Sequence, residues 1–301
     1  MNLIISLIYS IGWFVCVLAG AKGFTLVPIA YTVVTLAFYF LVLRKESKTI
    51  FCVNILLIWY GLILGFIFET LLLSTYQLSY ATKNAVCSLF PPAWILCLYL
   101  LFTPTLNHFF SFLRRSRFFP PLFGFIGGPL CVYAGTRLDA AFISESWFYL
   151  IIAVFWALFL SLLDHINLKL LCLANQIFDA KRLNKPLTVL FDGFCSFCAT
   201  ELKHLQKRPQ TGVVTYYSIT TKDQFSKDYP KLEFKDVMKE IYAIEATGHI
   251  LKGPVVFFEL YARTSHPLLA LLSKAPGLVP LVNVLYRLWA KFRLTKRTKP
   301  F

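Results

Sequence analysis

Up to about residue 166 the chain alternates long apolar runs with short polar breaks, and after that the rhythm changes. Six stretches, roughly 3–20, 24–43, 50–73, 86–109, 118–136 and 146–166, each approach the ~20 apolar residues that cross a bilayer core. Backbone groups in lipid must bond within their own segment, so the pattern predicts a multi-span helical domain of about six helices. Runs such as Ile151-Ile152-Ala153-Val154-Phe155-Trp156 do not alternate as transmembrane strands do. Thr103-Pro104 predicts a kink in the fourth segment. Gly61, Gly65, Gly124, Gly127 and Gly128 suit close helix packing. Ala19-Gly20-Ala21 resembles a cleavage site, but no Lys or Arg precedes the first run and further spans follow, so an uncleaved first helix is expected.

From Pro186 onward the period shortens. Leu187–Phe191 and Val213–Ile219 read as strands, with a helix from Cys198 to about Arg208 between them. A short helix over 221–229 follows. Glu240–Glu245 and His249–Leu251 around Thr247-Gly248 read as a hairpin. Pro254 opens another helix, where its missing N–H costs little. This β-α-β, hairpin, helix order is that of an α/β thioredoxin-like domain. The expected division is a transmembrane domain over 1–180 and a thioredoxin-like domain over 181–301.

Charge sharpens that division. Of 30 basic and 15 acidic side chains, ten and six fall in residues 1–180, leaving twenty and nine for the remainder. A basic domain beside an anionic bilayer is read as membrane-facing rather than nucleic-acid-binding, since each cation near that surface gains about 1 kcal/mol. With the N-terminus inside, Arg44, Lys45, Lys48, Arg114, Arg115, Arg117, Lys169, Lys181, Arg182 and Lys185 lie on the cytoplasmic side, against Lys22, Lys83 and Arg137 opposite. That bias places both termini in the cytoplasm of an inner-membrane protein. Leu278–Lys299, apolar on one side and bearing Arg287, Lys291, Arg293, Lys296, Arg297 and Lys299, reads as a helix. It either lies on the membrane surface or packs on the domain with a solvated basic tail.

The candidate chemistry is Asp192-Gly193-Phe194-Cys195-Ser196-Phe197-Cys198, on the turn from the first strand into its helix. A cysteine at a helix N-terminus meets unpaired N–H groups and the positive end of the dipole, which favour the reactive thiolate. Cys198, three residues on, shares its helix face and can resolve a mixed disulfide. Gly193 permits the tight turn. Zinc would require a second cysteine pair or a spaced histidine pair, and His204, His249 and His266 are scattered. The cycle is therefore expected to need no metal or organic cofactor. Cys16, Cys52, Cys87, Cys97, Cys131 and Cys172 default to small hydrophobes, with Cys87 and Cys131 kept as candidate redox partners. Asp192 has two open readings: a turn or cap residue, or a proton acceptor for a buried thiol.

An Asp-x-x-Cys-x-x-Cys set on such a turn resembles the DCC family of predicted thiol–disulfide oxidoreductases. The resemblance extends through Gly248-His249-Ile250-Leu251-Lys252-Gly253, Pro276–Pro280, Tyr286 and Arg293. It implies Asp192, Cys195 and Cys198 as the functional set. Thioredoxins proper carry a cis-proline before the hairpin strand, and near Met238-Lys239 there is none, so substrate docking is expected to differ. The first half, through Pro92-Ala93-Trp94, Asn107-His108, Gly127–Leu130, Tyr133, Gly135 and Arg137-Leu138, resembles an uncharacterised bacterial inner-membrane family. Asp139 stands where that family usually has a small residue.

Polar side chains at membrane depth are costly and often functional. Glu69 and His108 are the candidates, with Asp164 and His165 near the last span's end; Glu69 snorkelling to a helix end is the alternative. Three functions remain. The first is a membrane-anchored thiol–disulfide oxidoreductase acting on a thiol or disulfide partner, protein or small molecule. The second is a transporter or lipid-processing component whose C-terminal domain is a redox sensor or adaptor. The third is a plain anchor for the domain.

Overall fold

Helices form in each of the six apolar segments: α1 (Asn2–Ala21), α2 (Leu26–Glu46), α3 (Lys48–Leu73), α4 (Ala93–Phe102), α5 (Phe119–Arg137) and α6 (Phe148–Ile177). The computed structural model describes residues 2–84, 86–264 and 266–295. Its chain divides into two compact units, Met1–Leu171 and Cys172–Phe301. Two helices, Lys48–Leu73 and Phe148–Leu183, are long and apolar enough to cross a membrane. A third crossing is available if Ala93–Asn107 and Phe109–Arg115, bent by 63°, act as one broken span. Ile5–Ala21 and Leu26–Val42 are shorter apolar helices.

The fourth segment departs most from its apolar pattern. Pro91 and Pro92 lack the N–H groups that a helix beginning at residue 86 would use, so α4 starts at Ala93. At Thr103-Pro104 the α-helix gives way to a 3-10 turn, Thr103–Asn107, and a second one, Phe109–Arg115, follows beyond His108. The expected kink is thus a break, with His108 in a non-helical conformation at its corner.

Small residues let the helices approach closely, at two pairs spaced by four. A Cβ on Gly61 or Gly65 would fall within 2.6 Å of Thr103 and Tyr99, and one on Gly124 or Gly128 within 2.3 Å of Trp156. Gly127, by contrast, meets only one atom at 3.9 Å and plays no such part.

A feature the apolar pattern concealed is a short antiparallel ribbon, β1 (Leu78–Tyr80) with β2 (Ala141–Ile143), pairing Tyr80 with Ala141. The turn into β2 holds Asp139 at φ 55°. Asp tolerates this left-handed region better than most residues.

The second unit begins with the end of α6 and a single turn, α7 (Ala180–Leu183), and then builds a four-stranded mixed sheet. Its strands are β3 (Leu187–Asp192), β4 (Val214–Ile219), β5 (Tyr242–Glu245) and β6 (Ile250–Lys252), in spatial order β4-β3-β5-β6. β3 runs parallel to β4 and antiparallel to β5, and β5 is antiparallel to β6. The helices are α8 (Ser196–Gln206), α9 (Lys222–Asp228), α10 (Phe234–Lys239), α11 (Pro254–Arg263), α12 (Pro267–Leu272) and α13 (Val279–Thr295). Side-chain alternation along β3 splits the core in two. Leu187, Val189 and Phe191 join residues of α8 and α11, while Leu190 joins Phe225, Val237 and Met238 of α9 and α10.

The terminal helix fits both readings in part. Tyr286 and Trp289 of α13 pack against the core, whereas Leu281, Val284, Leu285 and Leu288 remain exposed. Lys296, Arg297 and Lys299 lie outside the described residues.

Candidate functional site

β3 ends at Asp192, in register with Ile219 of β4, and the chain must turn at once into α8. Two hydrogen bonds shape that turn. Asp192 Oδ1 accepts from the Phe194 N–H at 2.9 Å, and the Asp192 carbonyl accepts from the Cys195 N–H at 3.1 Å. The carboxylate thus acts as an Asx-type turn acceptor, buried at 3% exposure. Gly193 donates its N–H to the Ile219 carbonyl. Its need for glycine is steric rather than conformational: an added Cβ would stand 2.5 Å from Ser218 Oγ and 2.9 Å from the Ile219 carbonyl oxygen.

The helix begins at Ser196, two residues earlier than its apolar pattern suggests, and Cys195 is its N-cap. The Cys195 backbone is extended, and its Sγ accepts the Cys198 N–H at 3.3 Å. A thiol therefore occupies the place of the usual Ser, Thr or Asp oxygen at a helix start. A hydrogen bond from a backbone N–H, added to the helix dipole, favours sulfur carrying negative charge. Cys195 is 6% exposed and Cys198 fully buried. Both belong to the core cluster with Val189, Phe191, Leu202 and Ile241. Ile241 immediately precedes β5, whereas Met238 and Lys239 lie back in α10. The residue before the hairpin strand is thus an isoleucine, and no cis peptide bond occurs among the described residues.

The remaining cysteines divide by location. Cys16, Cys52 and Cys97 are buried among apolar residues, Cys87 is half-buried, and Cys131 and Cys172 are exposed. Among the described residues no group of three His, Cys, Asp or Glu side chains is arranged to hold a metal. Burial, followed by the charges of Arg208 and His204, lowers the His266 pKa below its ordinary value.

In the helical unit Glu69 does not snorkel. It is 4% exposed, and its carboxylate accepts the hydroxyls of Tyr80 at 2.7 Å and Tyr99 at 2.8 Å. His108 stands edge-on to Tyr39, 5.5 Å between ring centres. Beside it runs a buried amide chain that attention to charged residues alone overlooked. Asn54 donates to the Tyr39 hydroxyl, Asn107 donates to Asn54 and Asn167, and Asn167 donates back to Asn107. Arg114 reaches Asn107 Oδ1 at 3.3 Å. The signal in the sequence was an asparagine within two apolar runs, Asn54 and Asn107, and a third, Asn167, just past the end of the sixth. Asp164 is buried on the same face of α6, one turn before Asn167.

The family described as a protein of unknown function (DUF2878) matches residues 2–162. The one described as a DCC1-like thiol-disulfide oxidoreductase matches residues 189–299. An uncharacterized chloroplastic protein of Arabidopsis thaliana is 30% identical over 123 residues, which are 40% of this chain and 58% of that protein. The chain thus spans little more than half the length of this relative. No solved structure matches the chain.

Proposed function

The chain belongs to the DUF2878 family and carries a C-terminal DCC1-like thiol-disulfide oxidoreductase domain, and from that premise we propose that it is a membrane-anchored oxidoreductase whose working pair is Cys195 and Cys198. The observation that carries this reading is the N-capping thiol: Cys195 Sγ takes the Cys198 N–H at the start of α8, immediately after β3. The β4-β3-β5-β6 order with a parallel β3–β4 pair supports a thioredoxin-like fold. Helices in all six apolar segments support six crossings, and the loop charges support cytoplasmic termini at the inner membrane.

The exchange balances as follows. Cys195 thiolate attacks one sulfur of a partner disulfide, forming a mixed disulfide and releasing the first partner thiolate. Cys198 thiolate then attacks the Cys195 sulfur, expelling the second partner thiolate and leaving a Cys195–Cys198 disulfide. The partner gains two electrons, and an external dithiol returns the pair to its reduced form. Asp192 acts as a positioning residue that fixes the turn presenting Cys195. Ile241, in place of a proline before β5, gives a docking surface unlike that of thioredoxins. Cys195→Ser is expected to abolish turnover of a model disulfide with a dithiol reductant, and full activity in that variant would refute the assignment.

A second reading has its own support in the broken fourth helix and the buried Asn54–Asn107–Asn167 chain, features common where polar solutes meet helices in lipid. In it the helical half transports or processes a solute and the C-terminal domain senses redox state. Neutral substitutions of Glu69 and His108 separate the two: loss of cellular function with both cysteines reactive favours the second.

A further inference from the structure

Glu69 is an acid in an apolar place, and its surroundings are unusual for a structural carboxylate. Both oxygens accept hydrogen bonds, Oε2 from Tyr80 and Oε1 from Tyr99. Among the described residues none of the ion pairs involves Glu69. A charge on a carboxylate at this depth would need a counter-charge, which a bound cation would supply. What lies beside it is a cavity of about 70 Å³, walled by Trp13, Trp94, Tyr99 and Trp156 as well as by Glu69 and Tyr80.

The walls indicate which chemistry the cavity suits. Faces of tryptophan and tyrosine rings attract cations through their quadrupoles, most strongly where water is excluded. A hard metal ion would require six or more oxygen ligands, and this wall is mostly carbon apart from one carboxylate, the phenols of Tyr9, Tyr80 and Tyr99, and the Cys131 thiol. The scaffold also holds the site in place. Tyr80 is fixed by its pairing with Ala141 across the β1–β2 ribbon, and Trp156 stacks on Tyr99 at 5.8 Å between ring centres. Trp94 is anchored through its indole N–H to Thr82. We propose that this cavity is a binding site for an organic ammonium ion, with Glu69 as its counter-charge and the tryptophans as its walls. The inference concerns the helical unit alone and stands whether or not the cysteine pair is catalytic.

The test uses the full chain in phosphatidylglycerol nanodiscs, reading tryptophan fluorescence during titration with choline and with its neutral isostere 3,3-dimethylbutan-1-ol. Choline is expected to give a saturable change at concentrations at least about tenfold lower than the isostere, a difference that corresponds to about 1.4 kcal/mol. Glu69→Gln should erase the preference. Trp13→Leu, which keeps an apolar wall and the carboxylate, should narrow it, and this variant serves if Glu69→Gln does not fold. A parallel series in discs containing phosphatidylethanolamine distinguishes the source. Weakened choline binding there assigns the site to a lipid headgroup, and unchanged binding assigns it to a free amine. No response to choline, equal responses to choline and its isostere, or an unchanged preference in the folded variants overturns the proposal.

Discussion

Gly193 and Asp192 show how much of the redox turn depends on single atoms. Because the Gly193 α-carbon faces the Ile219 carbonyl, a Gly193→Ala change must push β3 away from β4 or distort the turn. The expected cost is about 1–3 kcal/mol, the usual range for overpacking, measured by chemical unfolding of the second unit in the full chain. The sequence marked this glycine as a turn residue, but the reason for it lies in a strand some 25 residues on, which no local pattern reveals. At Asp192 the two readings of the side chain separate experimentally. Asn keeps an oxygen for the Phe194 N–H and loses the charge, whereas Ala loses both. If Asp192 positions the turn, Asp192→Asn retains most turnover and Asp192→Ala loses about tenfold or more, in line with about 1–2 kcal/mol for a lost cap. Equal losses in both would assign the carboxylate to proton transfer.

Among the elements, the strands and helices bounded by clear turn residues were legible and the shortest ones were not. β3, β4 and the hairpin were legible as short β-rich runs bounded by turn residues, and β3 buries both faces, Leu187, Val189 and Phe191 against one helix layer and Leu190 against the other. The three-residue ribbon β1–β2 carries too few positions for any period to show, yet it delivers Tyr80 to Glu69. The six-residue helices α10 and α12 escaped for the same reason. The fourth segment read as one kinked span, because Pro104 announces a kink but not the 63° bend that follows it. An ionic cluster was equally hidden. Glu259 and Arg263 of α11 pair while nearly fully buried, Arg182 joins them, and Arg263 also donates to the carbonyls of Leu183 and Lys185. These bonds tie α7 and the start of the sheet to α11. Glu259→Ala leaves Arg263 buried without its carboxylate. It is expected to destabilise the second unit by about 3–5 kcal/mol, visible as a lower denaturant midpoint with α-helical signal as the readout.

For the molecule as a whole, the partition into a helical half and an α/β half was plain in the sequence, through the loss of long apolar runs and the concentration of twenty basic residues after residue 180. The division between compact units falls after Leu171, inside α6 rather than at its end. The helix is continuous through that point, and so the sequence signals of a linker, Asp179 to Pro186, lie downstream of it. What the sequence concealed was the polar interior of the helical half, where asparagines and tyrosines from distant segments meet only once the chain is folded. The central claim is that Cys195 and Cys198 cycle between dithiol and disulfide on the cytoplasmic side of a membrane. The most direct test is acid-quenched thiol trapping in intact cells, with permeant and impermeant maleimides compared on the wild-type chain and on Cys198→Ala. The account predicts that Cys195 is labelled only by the permeant reagent, that an oxidant converts the pair to an unlabelled disulfide, and that Cys198→Ala accumulates a mixed disulfide through Cys195. Labelling of Cys195 by the impermeant reagent, or a pair whose labelling never changes with oxidant and a Cys198→Ala variant that captures nothing, would contradict it.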